Sequence, residues 1–242
     1  MLRSSKVPLV TAAFWIIKIL TTGMGEALAD FFDHTFNPVW VVIASGLVLF
    51  ASLWIQVSAK AFSAWRYWSA VSMVSVFGTL AADAVHVIIG VPYWVSSIIF
   101  LSALVAIFWA WKVTEMSISI SQIVSTRQEF FYWAVVMATF ALGTAAGDMT
   151  ANTFGWGFLV SGIIFGISFA VPLLLNRLVE AGTVATFWAA YVITRPFGAS
   201  LADWLALPPS RGGVGWGTLN VSLALIAAIA LFVITNRTKA KS

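Results

Sequence analysis

A tryptophan, a glycine ten residues later and an aspartate five beyond that recur four times: Trp15–Gly25–Asp30, Trp68–Gly78–Asp83, Trp133–Gly143–Asp148 and Trp188–Gly198–Asp203. An aromatic ring precedes each Trp (Phe14, Tyr67, Tyr132, Phe187), and a small residue precedes each Asp (Ala29, Ala82, Gly147, Ala202). Fixed spacings recurring along one chain mean similar supersecondary units stacked together, not one irregular domain. The fold must therefore place four equivalent segments in four equivalent surroundings.

Composition says what those surroundings are. Of 242 residues, 61% are hydrophobic and only 9% charged. A soluble domain carries roughly 25% charged residues, so this chain lacks the charge to clothe a water-facing surface. Apolar runs of helix-spanning length recur from end to end, which predicts a polytopic membrane protein. With no cysteine, disulfides, thiolate metal sites and cysteine nucleophiles are excluded. Two histidines, His34 and His86, are too few for an imidazole-built centre. Ala27-Leu28-Ala29 after a basic start mimics a signal-peptide cleavage site. Lys18 interrupts the apolar run, however, and the same small-residue pattern recurs mid-chain, so the first segment is expected to be a helix of the mature protein.

The pattern predicts an all-α fold of eight transmembrane helices, at about 8–32, 38–58, 64–86, 91–112, 129–151, 155–175, 183–205 and 215–235. They pair into four repeats, 8–58, 61–112, 126–175 and 181–235, within a single membrane domain. Odd helices carry the Trp/Gly/Asp skeleton. Even helices follow turns marked by Asn37-Pro38, Gly90-Val91-Pro92, Gly155 and Gly212-Gly213. Ten basic residues fall on one side: Arg3, Lys6, Lys60, Arg66, Lys112, Arg127, Arg177, Arg237, Lys239 and Lys241. The positive-inside rule then puts both termini in the cytoplasm, with Glu115, Glu129 and Glu180 expected as plain solvated charges on that face. Two helices return the chain to its starting side, so the four repeats run parallel about an axis along the membrane normal. An Asp fifteen residues up a helix from its Trp sits roughly 22 Å higher, in the outer third of the bilayer.

Gly25, Gly78, Gly143 and Gly198, each four residues before a small residue, flatten a helix face for close packing. Trp15, Trp68, Trp133 and Trp188 fit an interfacial or packing role, with a ligand platform as the alternative. The acids are harder to explain as packing. Asp30, Asp83, Asp148, Asp203 and Glu26 all fall in spans where an unpaired acid costs several kcal/mol. Either each reaches interfacial water, or four parallel helices gather them into an acidic ring that favours a cation. Lys18 and Arg195, the intramembrane cations, are eight residues from Glu26 and Asp203 respectively. That is too far for intrahelical pairing, so each is expected to bond an acid on a neighbouring helix, or to compete with a transported cation as a tethered one. Pro196 is expected to free a carbonyl in the seventh helix. Glu26 takes the position held by Thr79, Thr144 and Ala199 in the other repeats, which predicts an asymmetric site.

Ala146-Gly147-Asp148 is a fragment of the intramembrane aspartyl protease signature, but Ala145 replaces its first glycine and no Tyr-Asp partner exists. No HExxH, GxSxG or phosphate loop occurs, so no enzyme is expected. The four repeats, with Thr194-Arg195-Pro196-Phe197-Gly198-Ala199 in the last, resemble a bacterial family of uncharacterised membrane-anchored proteins built from a repeat of unknown function. The resemblance covers residues 6–236 and implies a bacterial inner-membrane location; it implies no activity.

The leading expectation is a transporter or channel for a small cation, either a divalent metal or a proton-coupled solute. Asp30, Asp83, Asp148 and Asp203 would be its ligands, and a bound metal cation is the one cofactor suggested. The alternatives are a non-transporting scaffold, or a pocket for a lipid or apolar cofactor suggested by 13 Trp and 19 Phe. The expected partners are the bilayer, the cation and a second copy of the chain, without nucleic acid.

Overall fold

The computed structural model describes residues 5–178 and 183–239. Arg3, Glu180 and Lys241 lie outside the described residues. Eight long helices follow in order: α1 Ala12–Thr35, α2 Pro38–Val57, α3 Ala64–Val87, α4 Tyr93–Glu115, α5 Thr126–Asp148, α6 Gly157–Leu178, α7 Thr183–Ala206 and α8 Thr218–Lys239. A π-helical turn, Met149–Thr153, extends α5 beyond its Asp. Local chemistry sets the boundaries. The Thr11 side chain accepts from Phe14 N–H, so α1 begins later than its apolar run. Asn37 caps α2 with Pro38 in its first turn, and Ser125 with Gln128 forms a reciprocal capping box on α5.

The odd helices form a closed inner ring: α1 packs on α3, α3 on α5, α5 on α7 and α7 on α1. The even helices lie outside it. Each packs chiefly on the inner helix of the next repeat: α2 on α3, α4 on α5, α6 on α7 and α8 back on α1. Within the first repeat α1 barely touches α2. The architecture is a ring with exchanged outer helices.

Burial follows from this placement. The most apolar stretches of α1, α3 and α5 are 56–61% buried, against 11–22% for α2, α4, α6 and α8. The outer helices therefore turn Trp40, Leu47, Phe50, Ile98, Trp109, Ile167, Leu223 and Leu231 outward, an apolar exterior that only lipid suits. Among the described residues seven helices are long and apolar enough to cross a membrane, and α7 is not one of them. It packs against α1, α5 and α6, and a helix covered by protein needs no lipid-compatible face.

Two layers repeat around the ring. Near the start of the inner helices, the aromatic before each Trp meets the Trp of the next repeat. The pairs are Phe14–Trp68 at 5.6 Å, Tyr67–Trp133 at 5.8 Å, Tyr132–Trp188 at 6.1 Å and Phe187–Trp15 at 5.5 Å between ring centroids. Trp68, Trp133 and Trp188 are buried in this layer and do not face headgroups. Higher up, each skeleton glycine faces the residue seven past the Trp of the next repeat: Gly25 faces Ser75, Gly78 Phe140, Gly143 Arg195, and Gly198 Thr22. A methyl group at any of the four would collide with those side chains. Helix α7 runs unbroken through Pro196, whose ring lies against Gly143.

Glu129 departs from the solvated charge expected of it. It is 1% exposed, accepting from Lys6 Nζ at 2.8 Å and Gln56 Nε2 at 3.1 Å. Lys6 also donates to the Val57 carbonyl at 2.8 Å, which ties residues 5–7 across the end of the ring. Glu115 pairs with Arg127.

Candidate functional site

The four skeleton aspartates end the inner helices at the side away from the aromatic layer. Asp30, Asp83, Asp148 and Asp203, together with Glu26, line one cavity of about 200 Å³. That is room for roughly six waters at ~30 Å³ each. Asp33, His34, His86, Tyr93, Asn152 and Arg211 add polar groups to its wall, and Phe158 and Leu207 apolar ones. Asp203 is 5% exposed, and its Oδ1 is buried without a hydrogen-bond partner. Asn152 Nδ2 donates to Asp148 Oδ1 at 3.4 Å. His86 is held by the Val91 carbonyl at 2.7 Å and the Ser96 hydroxyl at 3.2 Å. Among the described residues none of the four aspartates forms an ion pair. Nor do any three acids or histidines come close enough to hold one metal ion between them. The cavity is a wide acidic cup, and it is not a chelating cage.

Behind Glu26 of the cup lies Arg195, fully buried. Its guanidinium reaches across the ring and one nitrogen donates to three oxygens, Glu26 Oε2, Thr79 Oγ1 and Thr144 Oγ1, the last at 2.7 Å. The other terminal nitrogen donates to the Thr22 carbonyl at 3.1 Å. The three side-chain acceptors occupy the same position, eleven after the Trp, in the first three repeats; Ala199 holds it in the fourth. Arg195, expected to bond an acid on a neighbouring helix, pairs with Glu26 of α1. Sequence alone did not reveal that Thr79 and Thr144 share it, because that requires knowing which side chain crosses the axis.

Lys18 has no such partner. It is fully buried, and its Nζ lies 4.0 Å from the Phe140 ring centroid and 4.3 Å from that of Tyr191, with no hydrogen-bond acceptor. The acid expected to reach it from a neighbouring helix is not found among the described residues. Below it the Tyr67 and Tyr132 phenols bond one another.

A larger groove of about 660 Å³ opens at the opposite end, between the start of α1, the end of α6 and the start of α7. Trp15, Leu173, Leu174 and Phe187 give it an apolar floor, with Arg177 and Asn176 at its edge. Among the described residues no acid lines it, and the acids that the repeats bring together line the cup.

A family model described as Repeat of Unknown Function (DUF347) matches four stretches, residues 13–62, 66–117, 131–181 and 186–240. No curated protein and no solved structure matches the chain.

Proposed function

The chain belongs to the DUF347 repeat family, and from that premise we propose that it is a cation transporter of the bacterial inner membrane, loading a small cation through the acidic cup. Both termini face the cytoplasm and the cup faces outward, a reading supported by the lysines and arginines gathered at the terminal end. The observation that carries the proposal is the convergence of one aspartate from every repeat on a single cavity. An unpaired acid in such surroundings costs several kcal/mol, and packing alone has no use for four of them. The cup takes its cation with water still around it, or as an organic ammonium, since no three acids close around a bare ion. Chemistry on the cation is no part of this reading.

The Asp83→Asn and Asp148→Asn variants are expected to accumulate as folded protein and to lose cation-dependent flux in proteoliposomes. In detergent, a panel of cations should raise the melting temperature of the parent and not of the variants. A second reading, a non-transporting scaffold, draws on the Arg195–Glu26 contact, which ties helices from all four repeats. It gains if both variants fail to accumulate while no cation shifts the parent.

A further inference from the structure

We propose that the oxygen ring filled by Arg195 is itself a binding site for a small organic cation of guanidinium or primary-ammonium type, with the Arg195 side chain as its tethered occupant. The proposal rests on reading the cup as a cation entrance, and it names the class of cation.

The ring offers acceptors only. The Thr79 hydroxyl donates to the Ser75 carbonyl at 3.0 Å, with Glu26 Oε2 a longer second acceptor at 3.4 Å, and that of Thr144 donates to the Phe140 carbonyl at 3.2 Å. Their lone pairs are therefore turned inward, beside the Glu26 carboxylate and the Thr22 carbonyl. One full negative charge and three neutral oxygens match the N–H donors of a monovalent cation. A divalent metal would instead demand about six oxygens and more charge. Three helices supply its oxygens, and the fourth supplies the guanidinium it already holds.

The present occupant fits incompletely. Arg195 is fully buried, yet its Nε has no partner, so one desolvated donor goes unsatisfied. Somewhere for Arg195 to go lies next to it. On the neighbouring helix α5, Asp148 stands four residues above the ring's Thr144, one helical turn or about 6 Å along the axis. A cation arriving through the cup can take the ring while the Arg195 head moves up to the aspartates. The charge within the ring is unchanged by the exchange.

Chemical rescue tests this. In detergent, Arg195→Ala is expected to melt below the parent and to recover with millimolar methylguanidinium. Recovery with tetramethylammonium, which has no N–H donor, should need at least ~10-fold more, the loss expected for one charge-assisted hydrogen bond. Adding Thr79→Val and Thr144→Val should abolish the recovery, while Asp83→Asn should leave it. Arg195→Gln, which ends where the guanidinium begins, serves if the alanine variant does not accumulate. The parent chain provides a third arm, in which methylguanidinium should raise the melting temperature more than tetramethylammonium does. Equal effects of the two cations, or no effect of either, overturn the proposal. If rescue succeeds while the aspartate variants still transport, the ring stands and the cup reading falls.

Discussion

Lys18 is the residue least well served by its surroundings. A buried ammonium held only by two ring faces gains about 2 kcal/mol from them, far less than burying an unpaired charge costs. Replacing buried charges with apolar groups of similar size is often neutral or stabilising by about 1–4 kcal/mol. Lys18→Met is therefore expected to melt at or above the parent's temperature in detergent. Arg195→Ala should go the other way, by about 3–5 kcal/mol, because it strands Glu26. A lower melting temperature for Lys18→Met would mean that the amine has a partner in the folded protein. The sequence showed that both cations lie within spans, since a charge in an apolar run is conspicuous. It could not show that Arg195 takes Glu26 and leaves Lys18 unpaired, because the two compete across helices whose order around the axis is not written in spacing. Glu129 was harder still. Its burial depends on Lys6 returning across the end of the ring, a contact that joins positions 123 residues apart.

At the scale of the helix, the glycines sort by where a methyl group would land. At Gly25 it would land on the Ser75 side chain, and at Gly78 on Phe140. At Gly147 the nearest neighbour is Pro196 Cβ at 3.8 Å, an ordinary contact. Gly25→Ala is accordingly expected to cost about 1–3 kcal/mol or more, and Gly147→Ala to stay within about 0.5 kcal/mol. Melting curves and the yield of folded protein by size exclusion would check both. The Gly-to-small spacing marked these helices as closely packed, and that much was legible. Which residue fills each hollow was not, since the partner sits seven past the Trp of the following repeat, where Thr22, Ser75, Phe140 and Arg195 share no chemistry. The π turn after Asp148 was likewise invisible, because the longer hydrogen-bond spacing over Met149–Thr153 leaves no mark in residue type.

Across the whole molecule, the eight helices and four repeats were readable because each repeat restates its own spacing. The exchange of outer helices was not, because the sequence pairs α1 with α2 while the structure packs α2 on α3. One consequence concerns a cut chain. Lys60, Ala61 and Phe62 are exposed between α2 and α3, so a protease site placed there should be cleaved. The two pieces should still migrate as one species in mild detergent, because α1 remains held by α3, α7 and α8 while α2 remains held by α3. Separation of the fragments without denaturant would contradict the packing described. The exchange also bears on ancestry. A gene of half this length would encode a product with an orphan helix at one edge and a bare flank at the other, and two such molecules could satisfy each other only by mutual loan, as a twofold pair. Fusion of two such genes would then have converted a partnership between molecules into a clasp within one.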